Sequence, residues 1–409
     1  MLPAKEAESI ILDLVRPLNP QDTEIVDLEN ATERILAKAI ASELDFPYWD
    51  NSAMDGYALR YQDVTQCTPE NPVTLEIVEE IPAGYSPQKT IQAGQTARIF
   101  TGAMLPPGAD TIVIQENTER EGNRVKILAP PEAKQFVRYR GSYYRAGNEM
   151  LRSGIVLTAS DIAVLATAQC SKLTVYRRPK VAILSTGNEL VSPDTPLKPG
   201  QIVDSNQYAL ASFVTRNGGI PISLGIVPDN PETLKKAIEQ AVEQADMVLS
   251  TGGVSVGDYD YVDRILTELG GEIKIRSVAV KPGKPLTVAT FSNNCLYFGI
   301  PGNPVSALVS CWRFVLPALK KLSGITEDIT PTFIKATTQH QLKAGGKRET
   351  YFWGKLSVID GEYQFSLAGG SHQSANLINL AQTNGLAVVP IGQKTIEPGT
   401  IVMVMRVES

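Results

Sequence analysis

The chain has 409 residues, 43% of them hydrophobic and 20% charged, with a formal net charge of -6. That length suggests roughly two to four domains and a large core that needs no staples. The acidic balance argues against general nucleic-acid binding, which requires basic surface against phosphates. With only two histidines, His340 and His372, a three-histidine zinc site is excluded and Ser-His-Asp chemistry is disfavoured. The four cysteines, Cys67, Cys170, Cys295 and Cys311, contain no C-x-x-C pair and suit a reducing compartment. The N-terminal stretch MLPAKEAESIILDLVRPL is interrupted by acids and does not read as a secretory signal, and no apolar run is long enough to span a membrane. The expectation is a cytoplasmic protein with neither nucleic acid nor membrane as partner.

Residues 3–16 carry Ala4, Ala7, Ile10, Ile11, Leu14 and Val15 at helical spacing, stopped by Pro17. The segment 29–40, ENATERILAKAI, predicts a second short helix. The stretch 45–60, DFPYWDNSAMDGYALR, has no period and reads as an ordered, functional loop. From 72 to about 140, short alternating runs separated by Gly and Pro turns predict a small all-β module. Residues 158–169 return to helical spacing, with Thr158 and Asp161 as a capping-box-like start, and 172–179 predicts a strand. Elements on both sides of the β module imply one domain interrupted by another.

From 180 to 322 the chain alternates continuous apolar strands (VAILST, IPISLGIV, DMVLST, CLYFGI) with helices over 206–218, 231–245, 260–271 and 304–322. Buried strands interleaved with helices predict a mostly parallel sheet covered on both faces. After 328, short strands and turns predict a terminal β-barrel or sandwich.

Ligands of open α/β sheets bind at the carboxyl ends of the strands. Those ends carry LSTGNEL (184–190), IVPDN (226–230), LSTGGVSVGDYDY (249–261) and FGIPGNP (298–304). Gly252 and Gly253, followed by Gly257, let backbone N–H groups approach an anion, although a tight turn needs the same glycines; the pattern is neither a P-loop nor a dinucleotide fingerprint. Five carboxylates, Asp55, Glu189, Asp229, Asp258 and Asp260, lie on these loops or the N-terminal one. Singly, each is more simply read as a helix cap; together they fit Mg²⁺ beside phosphates. Lys281 and Lys284, stiffened by prolines in KPGKP, offer point charges to an anion, against the plainer reading of a solvated turn. Pro301 and Asn303 fix a loop before a helix, or form only a turn with an N1 proline. Tyr48 and Trp49 fit stacking on a planar ligand or burial in a core. Neither histidine has a partner motif, and both read as non-catalytic.

Taken together, NSAMDGYALR, RIFTGAMLPPGAD, LSTGNEL, STGGVSVGDYDYV, VKPGKP and GIPGNPVSAL resemble the MoeA family of molybdopterin molybdenumtransferases, which are related to the gephyrin end domain. The resemblance covers about residues 30 to 320. It implies a multidomain α/β and β fold: an elongated helical domain (1–45 and 141–177) interrupted by a β domain (46–140), an α/β molybdopterin-binding-like domain with a mostly parallel sheet (178–326), and a C-terminal β-barrel (327–409). It implies a homodimer with its cleft between subunits, and insertion of molybdenum from molybdate into adenylylated molybdopterin with release of AMP. Mg²⁺ is the implied cofactor, with Asp55, Glu189, Asp229 and Asp260 as catalytic and metal-holding acids. Substrate or anion contacts are implied at Thr101, Gly252, Gly253, Ser255, Lys281, Lys284, Pro301, Asn303 and Ser374. An upstream adenylyltransferase and downstream molybdoenzyme maturation factors are the implied partners. The chain departs from the family pattern at Asn148 and Glu149, at Ser277, and at Trp353, where an arginine is usual and a changed basic rim of the cleft follows. Two other readings compete: a molybdopterin adenylyltransferase, whose fold resembles 180–322 alone, and a non-catalytic gephyrin-like scaffold.

Overall fold

The computed structural model describes residues 1–252 and 259–407, with only the backbone of Tyr259 and Asp260. The chain forms two compact units: one of Met1–Lys38, Ser153–Ala163 and Cys170–Ser409, the other of Ala39–Arg152 and Val164–Gln169.

The smaller unit is built on an open six-stranded sheet in the order Thr111–Ile114, Gly56–Leu59, Gln95–Ile99, Val73–Ile81, Arg124–Ile127, Thr118–Glu121. The stretch expected to be a loop therefore contributes a central strand. Gly56–Leu59 pairs antiparallel with both neighbours, and all four of its residues are buried. Tyr57 and Leu59 pack into one core cluster and Ala58 into the other. Apolar burial on both faces erases the alternation by which a strand is recognised. Gly56 is required there, since a Cβ would stand 2.0 Å from the Val113 carbonyl oxygen.

In the larger unit, the helix Ala4–Leu14 buries Ala4, Ala7 and Ile11, one helical face. The strand Thr23–Asp27 pairs antiparallel with Lys172–Tyr176, so the segments flanking the β module meet. The helix expected over 29–40 is absent. Only a 3₁₀ turn, Leu28–Asn30, forms. Glu33 then adopts φ 62°, which a right-handed helix does not admit. The backbone instead bonds outward, Glu33 N to Leu157 O at 2.9 Å and Leu36 N to Ile155 O at 3.0 Å.

Four parallel strands, in the order Ile220–Val227, Lys180–Thr186, Met247–Thr251 and Leu296–Ile300, form the centre of the α/β sheet. Beyond them, Pro285–Thr290 and Glu272–Ser277 extend it antiparallel, an edge the sequence reading did not contain. Val181, Ile183 and Leu249 face one core cluster while Ala182, Leu184 and Val248 face the other, so both faces are covered. Arg177 forks onto Asp246 through two 2.7 Å bonds and also reaches Asp22 at 3.0 Å, tying the entry of the sheet to the N-terminal segment.

The final segment is a closed barrel. Glu349–Ile359, Glu362–Leu367, Phe333–Thr338, Ile401–Arg406 and Gly385–Val389 pair in that order, and the last returns to the first. Trp353 is 1% exposed, its indole N–H donates to Asn379 Oδ1 at 2.9 Å, and its ring lies 4.7 Å from that of His372. Trp353 is therefore a core residue of this barrel.

Candidate active site

The carboxyl ends of the parallel strands bring the loops at 187–189, 229, 252 and 301–303 together. Polar residues are buried at those ends: Thr251 Oγ1 donates to Ser185 Oγ at 3.2 Å. Thr186 donates its hydroxyl to Asp229 Oδ1. Asn188 N donates to Asp229 Oδ2 at 3.3 Å, and Asp229 N donates back to Asn188 Oδ1 at 3.2 Å. The helix Pro231–Gln244 is capped instead by Asn230, whose Oδ1 accepts from Glu232 N and Thr233 N at 3.0 and 3.1 Å. Capping is therefore not the role of Asp229, which locks two loops.

Close backbone approach explains Gly252. Gly252 has φ 86°, and a Cβ on it would stand 2.0 Å from the Thr186 carbonyl oxygen. Gly302 lies against Gly252, a Cβ on it reaching 3.5 Å from the Gly252 Cα. Asn206 fixes the same loop by donating to Gly302 O at 2.7 Å. Glu189 is exposed, and its carboxylate folds over Gly187, where a Cβ would meet it at 2.8 Å. Pro301 is buried; Asn303 is exposed and its Nδ2 stands 3.4 Å from Ser374 Oγ. Gly253, Ser255 and Asp258 lie outside the described residues; Asp260 falls in the first turn of Tyr259–Glu268, without a described side chain.

Lys281 and Lys284 are exposed, and among the described residues neither has an ion-pair partner. Their loop is held at both ends. Val278 N donates to Lys284 O at 3.0 Å, while Val280 and Lys281 pair in parallel with Glu349 and Thr350 of the barrel. Gly283 has φ 107°, and a Cβ on it would lie 3.0 Å from Ser310 Oγ. Two exposed cations on such a braced turn can act on an anion as point charges.

Asp55 and Thr101 belong to the smaller unit and bind each other. The Thr101 N–H and hydroxyl both donate to Asp55 Oδ1 at 2.7 Å. The backbone donor first, the hydroxyl next, and the more distant Arg98 guanidinium hold this carboxyl below the usual carboxylate range. Arg98 is itself fixed, bonding Gln115 Oε1 at 2.6 Å and standing 5.0 Å from the Tyr57 and Phe100 ring centres. Tyr48 and Trp49 are 37% and 43% exposed, so the core reading fails for both.

The two histidines are bonded locally: His340 Nδ1 accepts from Leu367 N at 3.3 Å, and His372 Nε2 pairs with Ala368 O at 2.9 Å. Sequence reasoning missed Thr186 and Asn206, and saw Asn188 only as the residue standing where the family more often has Asp before Glu189; all three orient the acids and loops. The polar strings ST-GN and DSN beside apolar strands were the available signal.

Comparison with known proteins covers nearly the whole chain. Residues 2–168 match the model of the "MoeA N-terminal region (domain I and II)", 182–321 that of a "probable molybdopterin binding domain", and 335–407 that of the "MoeA C-terminal region (domain IV)". A molybdopterin molybdenumtransferase of Nostoc sp. is 56% identical over 98% of this chain and 93% of its own length. One from Haemophilus influenzae is 36% identical over 84% of this chain and 83% of its own. A solved molybdopterin biosynthesis MoeA protein of Pyrococcus horikoshii superposes over 100% of both chains with a TM-score of 0.85 at 28% identity.

Proposed function

The chain belongs to the MoeA family of molybdopterin molybdenumtransferases, and from that premise we propose that its sheet-edge loops and acids carry the family's chemistry. The reaction is the insertion of molybdenum from molybdate into adenylylated molybdopterin, giving molybdenum cofactor and AMP. A molybdopterin adenylyltransferase is not favoured, because the match extends over all three family regions and not the α/β part alone.

The observation that carries the site assignment is the meeting of the strand ends at Thr186 and Gly302 with Gly252, with Asp229 clamped by Thr186 and Asn188. In this reading Gly252, Gly253, Ser255 and Asn303 contact the phosphate and pterin, and Pro301, which has no N–H to donate, stiffens the loop that carries Asn303. Lys281 and Lys284 hold molybdate as a dianion, and Ser374 adds a hydroxyl beside Asn303. Asp55, kept ionised by Thr101, serves as an acceptor for substrate donors or for a cation's shell. No side chain attacks covalently; positioning and fixed charge lower the barrier.

Mg²⁺ is part of the proposal. Among the described residues no three Asp, Glu, His or Cys side chains converge on one point. That fits an ion taking one or two carboxylates together with substrate phosphates and water. Its protein ligands would be one or two carboxylates drawn from Glu189, Asp229, Asp260 and Asp55, and when bound it would offset charge on the phosphoanhydride.

The division into 1–45 with 141–177, 46–140, 178–326 and 327–409 belongs to the same reading, supported by the pairing of Thr23–Asp27 with Lys172–Tyr176. So does a homodimer, for which light scattering is expected to give twice the 44.3 kDa chain mass. A cytoplasmic setting belongs to the same reading; among the described residues no two cysteines are joined in a disulfide, and no described helix is long and apolar enough to cross a membrane. An adenylyltransferase supplying the nucleotide substrate and maturation factors receiving the product complete the reading.

The test is molybdate-dependent AMP release by Asp55→Asn, Asp229→Asn and Lys281→Ala. Each is expected to lose most of the rate while keeping the native unfolding profile. Full activity in all three would remove the assignment.

A further inference from the structure

A chain of bonded polar side chains, buried at Arg313 and Tyr351 and half-buried at its two carboxylates, runs from the N-terminal helix to the barrel strand beside the lysine loop, and nothing in the proposed chemistry uses it. The long helix Pro304–Ser310 continues through a π-helical turn, Cys311–Val315, into Leu316–Leu322. A π turn inserts a residue and rotates the side chains that follow, a device often found at functional sites. Here it carries Arg313, which is 2% exposed. Its Nε donates to Tyr351 Oη at 2.9 Å, and its Nη1 pairs with Glu8 of the helix Ala4–Leu14. Tyr351 donates its hydroxyl to the Glu349 carboxylate. Burial pushes the Tyr351 phenol well above its ordinary value, so it remains a donor.

The residues at the end of this chain are the ones that register the lysine loop. Glu349 N donates to Ala279 O at 2.9 Å, Val280 pairs with Glu349, and Lys281 pairs with Thr350. The same helix touches the loop a turn earlier, where Ser310 Oγ, buried and unpartnered, lies 3.0 Å from the Cβ position of Gly283. A buried arginine is poorly suited to stability alone, since a well-packed apolar residue commonly does as well or better. What a bonded fork adds is a fixed direction.

We infer that Arg313 is a positioning residue: through Tyr351 and Glu349 it sets the barrel strand against which the Lys281–Lys284 loop is registered, and so sets affinity for the oxyanion substrate. The inference rests on the reading that this loop holds molybdate. The Arg313 guanidinium is enclosed and acts on the anion only through the strand.

The experiment compares Tyr351→Phe, Arg313→Met, Arg313→Lys and Lys281→Ala in molybdate-dependent AMP release, with direct titration of each protein by molybdate. Tyr351→Phe keeps the ring and removes one hydroxyl, so it is the variant expected to fold without change. It should raise the half-saturating molybdate by about tenfold, the scale of one lost bond to a charged group. Its kcat at saturating molybdate should stay within about twofold and its KM for adenylylated molybdopterin should be unchanged. Arg313→Met should show the same selective shift, and Arg313→Lys part of it. If Lys281→Ala raises the molybdate requirement and Tyr351→Phe does not, the positioning role is wrong and the loop assignment stands. If Lys281→Ala itself leaves the molybdate requirement unchanged, both fall. A purely structural network would lower the unfolding midpoint in the Arg313 variants without separating molybdate from the nucleotide, and that result overturns the inference.

Discussion

Replacing Gly252 by alanine tests the geometry of the sheet edge more severely than any side-chain truncation. Gly252 sits at φ 86°, and a left-handed backbone costs an L-residue roughly 1–2 kcal/mol. The added Cβ would also stand 2.0 Å from the Thr186 carbonyl oxygen, so the ends of two adjacent parallel strands must part by about 1 Å or more. Overpacking of this kind typically adds about 1–3 kcal/mol. The Thr186 hydroxyl that holds Asp229 would move with its backbone, so activity should fall further than stability. Gly399→Ala is the control: φ is 80° there and nothing lies within 4 Å of the Cβ position, so only the backbone contribution remains. Urea unfolding followed by circular dichroism, together with AMP release on both variants, separates the two contributions. Equal unfolding free energies and unimpaired AMP release in Gly252→Ala would refute the close approach on which the site's assembly depends.

Trp353→Ala should destabilise the protein by about 3–5 kcal/mol in the same unfolding measurement, as expected for a large buried ring; a change under about 1 kcal/mol would contradict its placement in the core. Glu268 is bonded by Arg264 and Lys235 at 2.8 Å each, which lowers its carboxyl from 4.5 to about 2. A depressed carboxyl contributes stability above its unfolded value and loses it as pH falls. The contribution of Glu268 should therefore vanish between pH 4.5 and about 2, and Glu268→Gln should flatten that part of the stability profile; an unchanged profile would show the pairs to be ineffective. Thr101→Val removes one of the donors to Asp55, so the Asp55 carboxyl should titrate at higher pH in the variant, as read by carbon NMR. No upward shift would mean the hydroxyl does not stabilise the carboxylate.

The parallel sheet was legible because runs such as VAIL and MVL are apolar without interruption, the mark of strands buried on both faces. The same property hid Gly56–Leu59, whose run is too short and too evenly buried to display a period. The 29–40 segment has helical spacing, but Leu36 and Glu33 bond instead to the strand and loop that return from the β module, contacts set by residues more than a hundred positions away. Adjacent Asp229 and Asn230 are equally good caps by sequence. Only the three-dimensional arrangement shows Asn230 on the helix and Asp229 on Thr186. The KPGKP loop was recognisable from its stiffness and charge. Its brace of Arg313, Tyr351 and Glu349 was not, because the three side chains come from segments whose proximity no local pattern records.

The most direct test of the central claim is AMP release by the unaltered protein supplied with adenylylated molybdopterin and Mg²⁺, with and without molybdate and with no ATP present. The account predicts release that rises with molybdate and saturates. Release indifferent to molybdate, or a requirement for ATP, would contradict it.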